Sequence, residues 1–234
     1  MTNLHARPLL ASLSLLIMLL AAGCGSGDTQ PGDGKATPLA IVHGQRPGGL
    51  HGTLVSDPPL DHPHGTFRDT AGKPFRFTTA SPGQVTALYF GFTHCDDVCP
   101  TTMADLATAR RLLPYSLAKR VRVEFVTVDP QRDTPRVLRR WLDRFDPGFT
   151  GLRSSTAVVH AAERSLYATP STIARNVHST THEPSGHKES KYQVNHTGSV
   201  YVFGPSAQSV IYTGGILPRE YAADFRRLLA TPQN

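Results

Sequence analysis

No apolar run in this 234-residue chain is long enough for a comfortable membrane span; the longest candidate, Leu9 to Ala22, has 14 residues. No basic stripe interleaved with aromatics is present either. The net charge is +6, but the Lys and Arg are scattered, in short pairs such as Arg110-Arg111, Arg139-Arg140 and Arg226-Arg227. That pattern argues against nucleic-acid binding and reads as a solvated surface that tolerates lipid headgroups. Internal repeats are not evident, and there is no peroxidatic-cysteine motif. Cysteine itself is scarce, with three in the chain. What remains is an ordinary apolar content and a length that suits one compact domain plus tails.

The N-terminus reads as a targeting segment rather than as part of the fold. "MTNLHARP" carries one Arg, the run Leu9 to Ala22 has the length of a secretory core, and "AAGC" ends at Cys24. This resembles a lipoprotein signal, which implies cleavage before Cys24 and a lipid on that cysteine. Ala21 stands where the pattern usually has Leu, so ordinary signal-peptide cleavage and an uncleaved anchor are the alternatives. The expected layout is a signal peptide over 1–23, a flexible lipid-anchored tether over 24–60 and a folded domain over 61–234. The tether is inferred from the Gly, Pro, Thr, Asp and Gln between Gly25 and about Gly52. Removing residues 1–23 deletes Arg7 and no acid, taking +6 to +5. The domain would then sit on the extracytoplasmic face of the cell membrane, where disulfides persist.

Regular periodicity begins near Thr66. "TFRDTAGKPFRF" reads as a hairpin around Ala71-Gly72. "VTALYFGFT" (Val85 to Thr93) reads as a buried strand, and "TTMADLATARRLL" (Thr101 to Leu113) as a helix with Met103, Leu106, Ala107 and Leu113 on one face. "RVRVEFVTVD" is a second strand. "TPRVLRRWLDRF" is a helix capped by Asp133 or Thr134, with Pro135 in its first position. A short strand near Phe149 to Leu152 and a helix around Thr156 to Tyr167 follow, then a long polar loop running to His196. "GSVYVFGP" and "SVIYTGG" pair as a hairpin, and "PREYAADFRRLLA" is a closing helix. Strands alternating with helices predict an α/β domain, a central mixed sheet flanked by helices with an N-terminal hairpin extension, similar to the thioredoxin-like fold.

Two of the three cysteines, Cys95 and Cys99, lie in "GFTHCDDVCPTTMADL". Pro100 predicts a helix starting at that residue, with Cys95 to Cys99 as the loop that feeds it. Three intervening residues permit a disulfide or a two-point grip on a metal. A disulfide closing so small a loop would add little stability. The nearby helix N-terminus favours thiolate, while Asp96 and Asp97 oppose it. Thiolates select Cu(I), zinc or iron–sulfur centres. Two of them under-fill most sites, and the best third candidate is His196 in "YQVNHTGSV".

"GFTHCDDVCPTTM", "VTVDPQRDTP" and "YQVNHTGSVYVFGP", in this order and at these separations, resemble the Sco (SenC) family over roughly Phe67 to Leu229. The resemblance implies that Cys95, Cys99 and His196 bind copper, as Cu(I), Cu(II) or both, and gives Asp129 a supporting role. Asn195 stands where many relatives have Asp. Arg132 and Asp133 are read as orienting the loop and capping the helix. His43, His51, His62 and His64 in the tether, and His178, His182 and His187 in the long loop, are read as solvated; His94 is a neighbour of the site, not a ligand.

The family's function implies an extracytoplasmic metallochaperone that delivers copper to the dinuclear copper site of cytochrome c oxidase, with that site's subunit as partner and the membrane reached through the lipid. The alternative is a thiol–disulfide oxidoreductase acting on the oxidase cysteines through a Cys95–Cys99 redox disulfide. Against it as the sole role stand the CxxxC spacing and the lack of a proline before the strand in "QVNHT".

Overall fold

The computed structural model describes residues 49–55, 58–77, 83–174, 192–206 and 208–230. The expected signal peptide, Cys24, His43, His178, His182 and His187 lie outside the described residues. In chain order the elements are β1 Thr53–Val55, β2 Phe67–Asp69, β3 Pro74–Phe75, β4 Val85–Gly91, α1 Val98–Arg111, α2 Tyr115–Ala118, β5 Val121–Thr127, α3 Pro135–Leu142, β6 Thr150–Arg153, α4 Thr156–Ser165, β7 Thr172–Ala174, β8 Gln193–Asn195, β9 Val200–Phe203, β10 Ser209–Tyr212 and α5 Pro218–Ala230. Eight strands form one sheet in the order β1-β10-β9-β4-β5-β6-β2-β3, while β7 and β8 pair with each other. β4, β5 and β6 are parallel and the other pairings antiparallel. This is the mixed sheet of a thioredoxin-like α/β fold.

β4 lies between β5 and β9, and all seven of its residues are buried. A continuous apolar run is what a strand covered on both faces requires. α1 buries Cys99, Met103, Leu106, Ala107 and Ala109 and packs on α5. Burying each large side chain of this face contributes roughly 1.5–3 kcal/mol. α3 starts as its sequence dictates: the Thr134 hydroxyl accepts from the Val137 N–H at 3.3 Å, and Pro135 takes the first turn. The first helix of the domain therefore begins at the carboxyl end of its central strand, and the Cys-bearing loop joins the two.

Four features depart from the sequence reading. α1 begins at Val98 rather than Pro100, so Cys99 is helical. Pro100 still falls in the first turn, where a missing N–H has no intrahelical partner to lose. The long loop contains the β7–β8 ribbon. A four-residue helix, α2, follows Pro114. The sheet also reaches N-terminal of residue 61, because Thr53–Val55 pairs with β10 (Thr53↔Ile211).

Two of the tether histidines are built into this fold. The His51 N–H donates to Asp224 Oδ2 at 2.8 Å and its ring Nδ1 lies 2.8 Å from Oδ1, while the Tyr212 hydroxyl donates to Oδ2 at 2.9 Å. His62 stacks on Phe203 at 4.1 Å between ring centroids. The solvated reading fails for both because their partners lie more than 100 residues away in sequence. His64 is exposed, as expected.

β5 carries a buried acid. Glu124 is 3% exposed, Arg122 reaches its Oε1 at 3.3 Å, and Oε2 has no partner among the described residues. Burial pushes its carboxyl up from 4.5 to about 7, with Arg122 opposing. A folded-state pKa raised above the unfolded value contributes stability that is complete at low pH and lost as pH rises through that window. Glu124→Gln is expected to unfold at higher denaturant than the parent in mildly alkaline buffer, by roughly 1–3 kcal/mol. The difference should vanish in acid; an equal difference at all pH values would refute this account.

Candidate metal centre

Among the described residues, one cluster of His, Cys, Asp and Glu side chains could hold a metal: Cys95, Cys99 and His196, with one ligand atom from each all within 4.8 Å of one another. Cys95 leaves the loop after β4, Cys99 sits in the first turn of α1, and His196 follows β8. Both cysteines are free thiols, Cys99 buried and Cys95 half-buried. The Cys95 sulfur accepts from the Cys99 N–H at 3.4 Å. Asp97, the residue at the helix cap, makes no side-chain capping bond. A sulfur thus serves one of the helix's open donors, which ties the cysteine spacing to the start of α1.

Gly91 makes room for this arrangement. A Cβ at Gly91 would lie 2.9 Å from Cys99 Sγ and 2.8 Å from the Tyr89 ring. Any side chain there must displace the sulfur or the ring. The Tyr89 hydroxyl donates to Cys99 Sγ at 3.7 Å.

His196 presents one nitrogen to the cysteines. Its Nδ1 lies 2.8 Å from the Thr197 carbonyl, which can only accept, so Nδ1 carries the proton. Nε2 is then the unprotonated nitrogen and accepts from the Cys99 thiol at 3.4 Å. A metal ligand with its other ring nitrogen fixed by a carbonyl is oriented and made more basic. The ring edges of Phe92 and Tyr89 pack against it at 5.4 and 6.1 Å between centroids. Burial pushes the imidazole below its ordinary value, opposed by the Thr197 and Phe90 carbonyls, which favours the neutral, ligating form. His196 also lines a cleft of about 590 Å³ together with Asn195, Thr197 and the exposed Tyr167.

Asp129 is not part of the cluster. It is 2% exposed and accepts from the Tyr192 hydroxyl at 2.7 Å and from Arg132 Nε. Asp133 does not cap α3, since Thr134 does. Its buried carboxylate instead accepts from the Thr93 N–H at 3.0 Å, the Thr93 hydroxyl at 2.6 Å and the Thr127 hydroxyl at 2.6 Å. His94 points to Thr93 and Asp133 rather than to the cysteines, with Nδ1 3.1 Å from the Thr93 hydroxyl. The sequence reading missed Tyr89 and Tyr192 altogether. Tyr89 reads in sequence only as one more aromatic of the buried strand, and Tyr192 acts through Asp129, far away in the chain.

A thioredoxin-like domain with two sulfurs and one imidazole converging at the end of its central strand is a soft-metal binding class. The family follows from comparison: residues 61–230 match the family model described as SCO1/SenC, and the chain belongs to that family. Protein SCO1 homolog 1, mitochondrial, of Arabidopsis thaliana is 32% identical over 132 residues, 56% of this chain and 36% of that protein. The chain spans about half the length of the curated relatives it matches. The structure of Bradyrhizobium japonicum ScoI with copper bound is similar at 28% identity and a TM-score of 0.56, over 70% of this chain and 96% of that one. The apo Sco1 protein of Thermus thermophilus is similar at 31% identity and a TM-score of 0.52, over 77% and 94%.

Burial raises the Cys99 thiol well above the ordinary range, with the neighbouring Cys95 adding to the effect. Its thiolate therefore forms only at a pH above that of an exposed cysteine. In the metal-free protein, iodoacetamide is expected to modify Cys95 first at neutral pH, with Cys99 reacting at least tenfold more slowly and gaining only in strongly alkaline buffer. Equal labelling of the two at neutral pH, read by peptide mass spectrometry, would contradict this.

Proposed function

We propose that this chain is a copper metallochaperone that holds copper through Cys95, Cys99 and His196. The observation that carries the reading is the convergence of the three ligand atoms within 4.8 Å. Two thiolates and an imidazole form a soft, three-point donor set suited to Cu(I) and open to an incoming ligand, and they can also hold Cu(II). A structural zinc site usually takes four protein ligands. The similarity to ScoI with copper bound supports the choice of metal.

Binding depends on two properties of this chain's own residues. Cys95 and Cys99 must release their protons, so affinity rises with pH. His196 is already neutral with Nε2 unprotonated, and so contributes without proton loss near neutrality. Release is ligand exchange. A thiolate of the acceptor replaces Cys95 first, since Cys95 is half-buried and Cys99 is fully buried.

The acceptor in this reading is the dinuclear copper site of cytochrome c oxidase during assembly. Lipidation at Cys24 would hold donor and acceptor on the extracytoplasmic face of one membrane, which raises their effective concentration. The second reading, a thiol–disulfide oxidoreductase acting on the oxidase cysteines, draws on the same pair of free thiols. It needs Cys95 and Cys99 but not His196.

That difference is the test. Titrating the reduced protein with Cu(I) in competition with a chelator should give one site per chain. His196→Ala should weaken it by at least about tenfold. Mixing the copper-loaded protein with the apo copper-site domain of the oxidase should move the metal. Undiminished copper affinity in His196→Ala, together with thiol exchange toward the oxidase domain at the parent rate, would favour the reductase and sink the chaperone.

A further inference from the structure

His196 is held from two sides. On its C-terminal side the chain runs into β9, which is hydrogen-bonded into the main sheet beside β4. On its N-terminal side lies β8, whose strand partner is β7 and not the main sheet. The two outer residues of β8 are exposed, and Val194 alone of its three is buried. β7 offers a weak foundation, since Thr172 and Ile173 are themselves exposed. Ladder pairing alone therefore ties the His-bearing segment poorly to the body of the domain.

Tyr192 supplies the missing tie, immediately before β8. Its hydroxyl donates to the buried Asp129 carboxylate at 2.7 Å. The Arg132 guanidinium lies over its ring at 3.7 Å from the centroid. Arg132 Nη1 also donates to the Tyr192 carbonyl at 3.3 Å. Hydroxyl, ring face and backbone are thus all gripped, and Arg132 is itself fixed by its Nε bond to Asp129. The other contact of Arg132 leads back to the centre. Its guanidinium lies 5.7 Å from the Phe92 ring, and Phe92 packs edge-on against His196 at 5.4 Å. Planarity matters for these contacts: a guanidinium can stack and donate at once, where an ammonium cannot.

We propose that Asp129, Arg132 and Tyr192 form a latch that sets the position of His196, so that opening it removes the imidazole's share of copper binding and spares the share of the two thiolates. The inference rests on the copper-site reading above and deepens it. All three are positioning residues. Asp129 and Arg132 lie in the loop between β5 and α3, whereas Tyr192 immediately precedes β8, so the latch joins the His-bearing segment to the body of the domain.

A double-mutant cycle tests this, using Cu(I) affinity by chelator competition and the thiolate-to-Cu(II) absorption band. Tyr192→Ala is expected to weaken binding about tenfold when His196 is present. In the His196→Ala background it should cause no further loss and no change in the band. Arg132→Lys, which keeps the charge and loses the planar stack, should show the same dependence on His196. Should Tyr192→Ala fail to fold, Tyr192→Phe, which removes only the hydroxyl, runs the same cycle. Equal losses in both backgrounds would assign the three residues a general structural role and overturn the proposal, as would no loss in either. An inert His196→Ala would overturn the copper-ligand reading itself, an outcome separable from the other two.

Discussion

Two buried carboxylates four residues apart, Asp129 and Asp133, hold the two segments that must meet at the site. Both come from the loop that joins β5 to α3. Asp133 takes the N–H and hydroxyl of Thr93, two residues before Cys95, and Asp129 takes the Tyr192 hydroxyl, four residues before His196. Neither acid can be left alone in the interior, since an unpaired buried charge is costly. Each has one partner close in sequence, Arg132 for Asp129 and Thr127 for Asp133, and a second on a distant segment, so the same two acids tie the Cys-bearing and His-bearing segments to one loop. Burial raises the Asp133 carboxyl, while the bonds from Thr127 and Thr93 hold it back. The Tyr192 phenol is pushed up to about 12 by burial and by its bond to Asp129, which keeps it a donor.

The sulfurs show a similar contest. A helix N-terminus favours thiolate at its first turn. Burial disfavours it, and at Cys99 burial wins: the thiol is raised although it stands in the first turn of α1. The Tyr89 hydroxyl aims a donor at the same sulfur, but Tyr89 is itself buried and its own proton is held more tightly than usual. A group so placed is a poor free nucleophile. It becomes a good ligand once a cation supplies the charge that the protein interior withholds. Cys95 is half-buried where Cys99 is fully buried.

Much of this was legible in the residues. β4 announces itself by an unbroken apolar run. α1 does so by Met103, Leu106 and Ala107, and α3 by Thr134 and Pro135. The three motif stretches carry the family, and the family carries the triad. The illegible parts share a physical character. β1, β7 and β8 are three residues each, too short for a period to show, and β1 finds its partner in β10, more than 150 residues away. The start of α1 was misplaced by two residues because Pro100 restrains its predecessor only by preference, and a sulfur at Cys95 offers the Cys99 N–H a partner within the helical geometry. His51 looked like tether because nothing around it reveals Asp224. Tyr192 looked like loop because its three contacts belong to Asp129 and Arg132.

Exposure sets a direction for traffic through the centre. Cys99 is sealed beneath Tyr89 and Gly91, and no side chain could be added at Gly91 without moving the sulfur. Cys95 and His196 are both half-buried, and His196 alone of the three lines the cleft of about 590 Å³. An acceptor group can approach along the imidazole or over Cys95, but not past Cys99. The buried sulfur is thus the ligand least open to exchange, and a soft cation would reach it only past the more exposed Cys95 and His196.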